Sequence, residues 1–99
     1  MRVYSKRILR EFWERHHDSK QALSIWYGTV VQADWSEPAQ IRERFPDASF
    51  VGGNRVIFNI RGNRFRLVAW INYRWRAVYV KWIGTHADYD RIDVEQVGL

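Results

Sequence analysis

The hydrophobic period of this chain changes once, near Ala48, and that change fixes the kind of fold it can adopt. Upstream, apolar residues recur at helical spacing: Ile8, Leu9, Phe12 and Trp13, then Ala22, Leu23, Trp26, Tyr27 and Val30, then Ile41 and Phe45. Downstream, they alternate with polar residues, as in Arg64-Phe65-Arg66-Leu67 and Tyr79-Val80-Lys81. A period near 3.6 marks a helix with one buried stripe, and a period of two marks a strand with one buried face. Helices followed by a meander of strands predict an α+β fold with the helices on one face of a mainly antiparallel sheet.

Local signals set the expected boundaries. Met1 to Tyr4 is a candidate short strand. Ser5 is placed to cap a first helix ending near His16-His17, and Asp18 or Ser19 to cap a second. Ser36 and Pro38 open a third, short helix, which Pro46 stops. Ser49 to Val51 is a strand or the approach to one, and Gly52-Gly53-Asn54 is a turn. Strands are expected over Arg55 to Ile60, Arg64 to Asn72 and Arg76 to Ile83, joined at Arg61-Gly62-Asn63 and Tyr73 to Trp75. The tail to Leu99 is expected to be partly helical. With 99 residues and no linker or repeat, residues 1–99 form a single domain.

Alternation divides the strands. Val56, Phe58 and Ile60, then Phe65, Leu67, Ala69 and Ile71, then Val78, Val80 and Trp82 are expected to face the helices. The opposite face then carries Arg55, Asn59, Arg61, Arg64, Arg66, Tyr79 and Lys81, with Ile57, Val68, Trp70 and Ile83 among them. From Arg55 to Lys81 there are seven basic residues, Arg74 and Arg76 included, and no Asp or Glu. Ordinary surfaces mix signs. A one-sign stripe and a formal charge of +5 point to a polyanionic partner. Aromatic side chains beside cations suit single-stranded nucleic acid, although most strand aromatics belong to cores.

The segment Gly84-Thr85-His86-Ala87-Asp88-Tyr89-Asp90 is the best catalytic candidate. It gathers an imidazole, a phenol and two carboxylates at a strand end, and an imidazole can exchange protons near neutral pH. The plainer alternative is a helix cap in which Thr85 or Asp88 satisfies backbone N–H groups. No metal and no cofactor are expected. The chain has no cysteine, and the adjacent His16 and His17 diverge by about 100° on a helix. No nucleophile elbow or glycine-rich phosphate loop is present. The chain lacks an apolar signal core and an apolar run of about 18 residues, so the expected location is cytoplasmic, with no membrane partner.

Several longer blocks carry a resemblance: Met1-Arg2-Val3 with Ser5-Lys6, Leu9 to Glu14, Ala33-Asp34-Trp35, Val51-Gly52, Asn54 to Val68 and Gly84 to Asp93. On these the chain resembles the HigB family of toxin–antitoxin mRNA interferases, nearly end to end. The resemblance implies a RelE-like fold, with helices on one side of a curved antiparallel sheet. It implies ribosome-dependent endonuclease action on mRNA that inhibits translation. It also implies silencing by a HigA-type helix-turn-helix antitoxin, through which operator DNA is an indirect partner. The chemistry expected of such a fold is metal-free attack of the RNA 2′-hydroxyl on the adjacent phosphate. His86 and Tyr89 are the expected proton-transfer and phosphate-orienting groups, with Asp90 orienting one of them. Arg64, Arg66 and Lys81 are expected to meet the phosphorane charge. Arg55, Arg61, Arg76, Tyr79 and Asn59 are expected to hold RNA. Two alternatives stay open: a non-catalytic RNA- or ribosome-binding module, and an interaction domain whose basic face receives an acidic or helical partner.

Overall fold

A computed structural model describes residues 1–98. Strand β1 (Arg2–Tyr4) leads into α1 (Lys6–Arg15), a short 3-10 turn (His17–Ser19), α2 (Lys20–Gln32) and α3 (Pro38–Arg44). Then come β2 (Ser49–Val51), β3 (Arg55–Ile60), β4 (Phe65–Asn72), β5 (Ala77–Thr85) and the one-turn α4 (His86–Tyr89). The five strands form one open sheet in the order β1-β5-β4-β3-β2. Neighbours are antiparallel except β1, which lies parallel to β5. The expected α+β architecture is therefore present.

The helices bury their stripes on one sheet face. Leu9 and Phe12 of α1, Leu23, Trp26 and Val30 of α2, and Ile41 of α3 share a core with Val56, Phe58, Ile60, Phe65, Leu67, Ala69, Ile71, Val78 and Val80. Each large side chain removed from water contributes about 1.5–3 kcal/mol. Aromatic edges add geometry. Trp26 meets Phe58 at 5.4 Å and Phe12 meets Phe65 at 5.4 Å, both edge to face.

The helix starts are less simple than their sequence suggests. Ser5 sits at the N-cap of α1, but its side chain makes no capping bond. Ser19 precedes α2, and its hydroxyl donates to the His16 carbonyl at 2.7 Å instead of capping. Glu37, not Ser36, is the N-cap of α3, and Gln40 reaches back to accept from the Glu37 N–H at 3.1 Å. Pro38 holds the first turn as expected.

One irregularity reorganises the far end of the sheet. Ala69 pairs with Val80, but Val68 pairs with Trp82, so β5 carries an extra residue at Lys81. Such a bulge reverses the facing of everything beyond it. Trp82 therefore stands on the helix-free face, opposite Val68, and Ile83 packs against the core. Alternation alone had assigned these two residues the other way round.

The helix-free face is not bare. Ile57 and Val68 lie on it by register, yet are 3% and 0% exposed. The segment after α4 lies over part of this face. Val94 and Val97 bind Arg55 from above, and Gly98 rests against the Lys81 backbone. A Cβ at residue 98 would lie 2.6 Å from the Lys81 carbonyl oxygen, so only glycine permits this approach.

Candidate nucleic-acid interface and active site

The register Phe65↔Thr85 brings the start of β4 and the end of β5 together, and α4 grows from that corner. Thr85 is its N-cap, and the Thr85 hydroxyl accepts from the Asp88 N–H at 3.1 Å. The His86 N–H donates to the Arg64 carbonyl at 3.1 Å, which ties α4 to β4. The helix-cap reading of this segment is thus correct for Thr85, whereas Asp88 supplies only the backbone N–H that Thr85 accepts. It does not use up His86, Tyr89 or Asp90.

Those three residues converge with Arg66. The Arg66 guanidinium lies 5.8 Å from the centre of the Tyr89 ring, and Asn63 fixes it through its backbone and side-chain oxygens. Trp82 also lies beside Tyr89, with ring centres 6.2 Å apart. His86 Nδ1 lies 3.7 Å from Asp90 Oδ2, within ion-pair range but beyond hydrogen-bond length. Both side chains are about half exposed or more, so the imidazole is open to a ligand.

Farther along the face lies an aromatic ladder. Tyr4 stacks on Tyr79 at 5.0 Å and 18°, Tyr79 meets Trp70 at 5.2 Å, and Lys81 Nζ stands 5.8 Å from the Tyr79 ring centre. Tyr4 is 43% exposed. Parallel strand pairing places it beside Tyr79, a neighbour that lies 75 residues away in sequence by number and carries no local signal.

The seven cations do not form one stripe, because tertiary structure brings carboxylates to three of them and buries a fourth. Arg61 and Arg64 both reach Asp18 Oδ2, at 2.8 and 3.0 Å, on the helix side of the β3–β4 turn. This corrects the assignment of both to the helix-free face. Arg76 pairs with Asp34 at 2.7 Å and also donates to the Tyr73 carbonyl. It sits at the β4–β5 turn, about 30 Å along β5 from His86. Arg55 is 4% exposed and donates to the Val94 and Val97 carbonyls at 3.0 and 2.6 Å. Asn59 donates to Asp47. Of the expected RNA contacts, Arg55 is thus buried as a tail anchor, and Arg76 stands at the opposite end of β5 from His86. Arg74 stacks on Trp75. Arg66 and Lys81 remain on the face without an acidic partner among the described residues.

His16 packs on Phe12 and Phe65, with ring centres 4.4 and 5.7 Å away, and so belongs to the core margin. Among the described residues, no helix is long and apolar enough to cross a membrane.

Residues 19–92 match the family described as HigB_toxin, the RelE-like toxic component of a toxin-antitoxin system. The chain belongs to the HigB family. It is 30% identical to the mRNA interferase HigB of Escherichia coli O6:H1 over 94 residues, covering 93% of this chain and 91% of that relative. It is 24% identical over 92 residues to the mRNA interferase toxin HigB of Escherichia coli strain K12, covering 91% and 88%. The mRNA interferase HigB of Shigella flexneri matches equally, at 24% over 92 residues. As a HigB-family member, the chain is the toxic component of a toxin–antitoxin system, and its open sheet with helices on one face is consistent with a RelE-like fold.

Proposed function

We propose that this HigB-family toxin is an endoribonuclease that cuts mRNA on the translating ribosome, in the cytoplasm, without a metal ion. The observation that carries the reading is the convergence of Arg66, His86, Tyr89 and Asp90 at one corner of the helix-free face. Relatives that span nearly the whole chain bear the name mRNA interferase.

RNA cleavage by its own 2′-hydroxyl needs a base for that hydroxyl, positive charge for the phosphorane and an acid for the departing 5′-oxygen. His86 takes the 2′-proton, with the Asp90 carboxylate favouring the imidazolium that forms. The 2′-oxygen attacks phosphorus and the bond to the 5′-oxygen breaks. That oxygen leaves with a proton from the solvent or from Tyr89. The products are a 2′,3′-cyclic phosphate and a free 5′-hydroxyl. Arg66 and Lys81 bear on the non-bridging oxygens, and Tyr79 stacks a neighbouring base. Arg64 and Arg61, held by Asp18 at the rim, add field rather than contact. Silencing falls to a HigA-type helix-turn-helix antitoxin.

The ladder of Tyr4, Tyr79 and Trp70 favours one competing reading, a module that binds RNA or the ribosome without cutting. Brief induction of the chain, with and without the neighbouring reading frame, followed by mapping of mRNA 5′ ends, separates the two. New ends within translated regions, absent for His86→Ala and on co-expression of the neighbour, are expected. Growth arrest without new ends refutes cleavage and leaves the binding module.

A further inference from the structure

A cavity of about 430 Å³ opens on the helix-free face between the sheet and the tail. Its lining is Gly52, Gly53, Arg55, Trp70, Lys81, Glu95 and Gln96. The volume lies within the roughly 300–1,000 Å³ of small-molecule sites. Three polar side chains in it are uncommitted. Among the described residues, Lys81, Glu95 and Gln96 make no side-chain hydrogen bond, and Lys81 and Glu95 make no ion pair.

The backbone that carries Glu95 and Gln96 is nonetheless held. Arg55 binds the carbonyls of Val94 and Val97, which bracket Glu95 and Gln96 in sequence. The Asp93 carboxylate accepts from the Glu95 N–H at 3.1 Å, and the Asp93 carbonyl accepts from Gln96 and Val97 at 3.0 and 2.9 Å. The turn is thus clamped from below and within. It holds one acidic and one amide side chain beside a half-buried indole.

We infer that this cavity is a nucleobase-reading pocket, and that it selects guanine in the RNA strand. The inference rests on the reading of this face as an RNA-binding surface, and names what that surface discriminates. Trp70 supplies a stacking plane, and Gly52 and Gly53 leave the opposite rim free of side chains. A carboxylate only accepts hydrogen bonds. Of the four RNA bases, only guanine presents two adjacent donors on its pairing edge, N1–H and the 2-amino group, and both fit Glu95. The Gln96 amide then donates to O6 beside them. Lys81, at the bulge of β5, takes the phosphate of the same nucleotide.

The test is equilibrium binding of guanosine, adenosine, cytidine and uridine monophosphates to the full chain, followed by nuclear magnetic resonance of the indole N–H signals. Guanylate is expected to bind at least about tenfold tighter than the other three, the discrimination of one good bidentate pair. Glu95→Gln is expected to bring all four within about twofold. Trp70→Leu is expected to weaken all four together. Equal binding of the four by the unmodified chain, absence of saturable binding, or a guanine preference that survives Glu95→Gln overturns the inference. Mapping of RNA ends reads the nuclease question separately. A chain that prefers guanylate yet makes no ends keeps the pocket and loses the cleavage reading. A chain that cuts RNA but binds the four alike keeps cleavage and loses the pocket.

Discussion

Replacing Arg55 with Met should detach the C-terminal tail while leaving the sheet intact. Arg55 is buried, and its guanidinium holds the Val94 and Val97 carbonyls at 3.0 and 2.6 Å. A hydrogen bond with one charged partner contributes about 1.5–3 kcal/mol. Two of them give a gross loss of about 3–6 kcal/mol. Against this stands the cost of keeping a guanidinium out of water, itself several kcal/mol, which Met does not incur. The freed carbonyls are near the surface and can turn to solvent. The net loss of tail attachment is then about 2 kcal/mol, or about 30-fold in the opening equilibrium. The helix-side core lies on the other face of the sheet, so global stability should change by less than about 1 kcal/mol. Amide hydrogen exchange reads both terms. The Gln96 and Val97 amides, which donate to the Asp93 carbonyl, should exchange about 30-fold faster, and the amides of β3 to β5 should change little. Unchanged exchange at Gln96 and Val97 would show that Arg55 does not anchor the tail. Uniformly faster exchange through the sheet would show that the tail is part of the cooperative core.

Other outcomes follow from the same geometry. Gly84→Ala places a Cβ 2.5 Å from the Trp82 ring, so denaturant unfolding should show a loss of about 1–3 kcal/mol from overpacking, and RNA cleavage should fall because Trp82 packs on Tyr89. Asp18→Asn releases Arg61 and Arg64 from a solvent-exposed pair. Stability should change by at most about 1 kcal/mol, while RNA affinity at low salt rises and its salt dependence steepens in filter binding. Burial raises the titration point of the Tyr73 phenol, and the nearby Arg42 opposes that. The unfolded chain loses this proton first, near pH 10. The Tyr73 contribution is therefore complete below about pH 10 and is lost as pH rises through the higher folded value. Tyr73→Phe should flatten that alkaline part of a stability-against-pH curve.

The sites of disagreement between sequence and structure have separate physical causes. Alternation predicts facing only while the ladder is regular. The extra residue at Lys81 therefore hid Trp82 from the site and Ile83 from the core. No local pattern signals a bulge of that kind when every flanking residue suits a strand. The cationic stripe failed for a different reason. Asp18 and Asp34 are remote in sequence from the arginines they neutralise. Charge counted along a strand omits what the helix layer and loops bring to its ends. Arg55 shows a third cause, since a tail that crosses a sheet face converts a surface cation into an anchor. The corner of His86, Tyr89 and Asp90 was legible because one turn of helix keeps it local, and Arg66 joined it through the register of β4 with β5.

By itself, the sequence determined the layers. The helical stripes from Ile8 to Phe45 and the alternation from Val56 to Val80 admit one economical burial, three helices on one face of a sheet, because apolar surface must leave water and each period fits only one kind of element. Tertiary structure alone decided which polar groups remain available on the other face. Long-range pairing placed Tyr4 beside Tyr79, remote carboxylates engaged Arg61, Arg64 and Arg76, and the returning tail lined one side of the open cavity at Trp70. Burial follows from local periodicity, whereas the pairing of charges and the walls of a cavity depend on segments that meet only when the chain has closed upon itself.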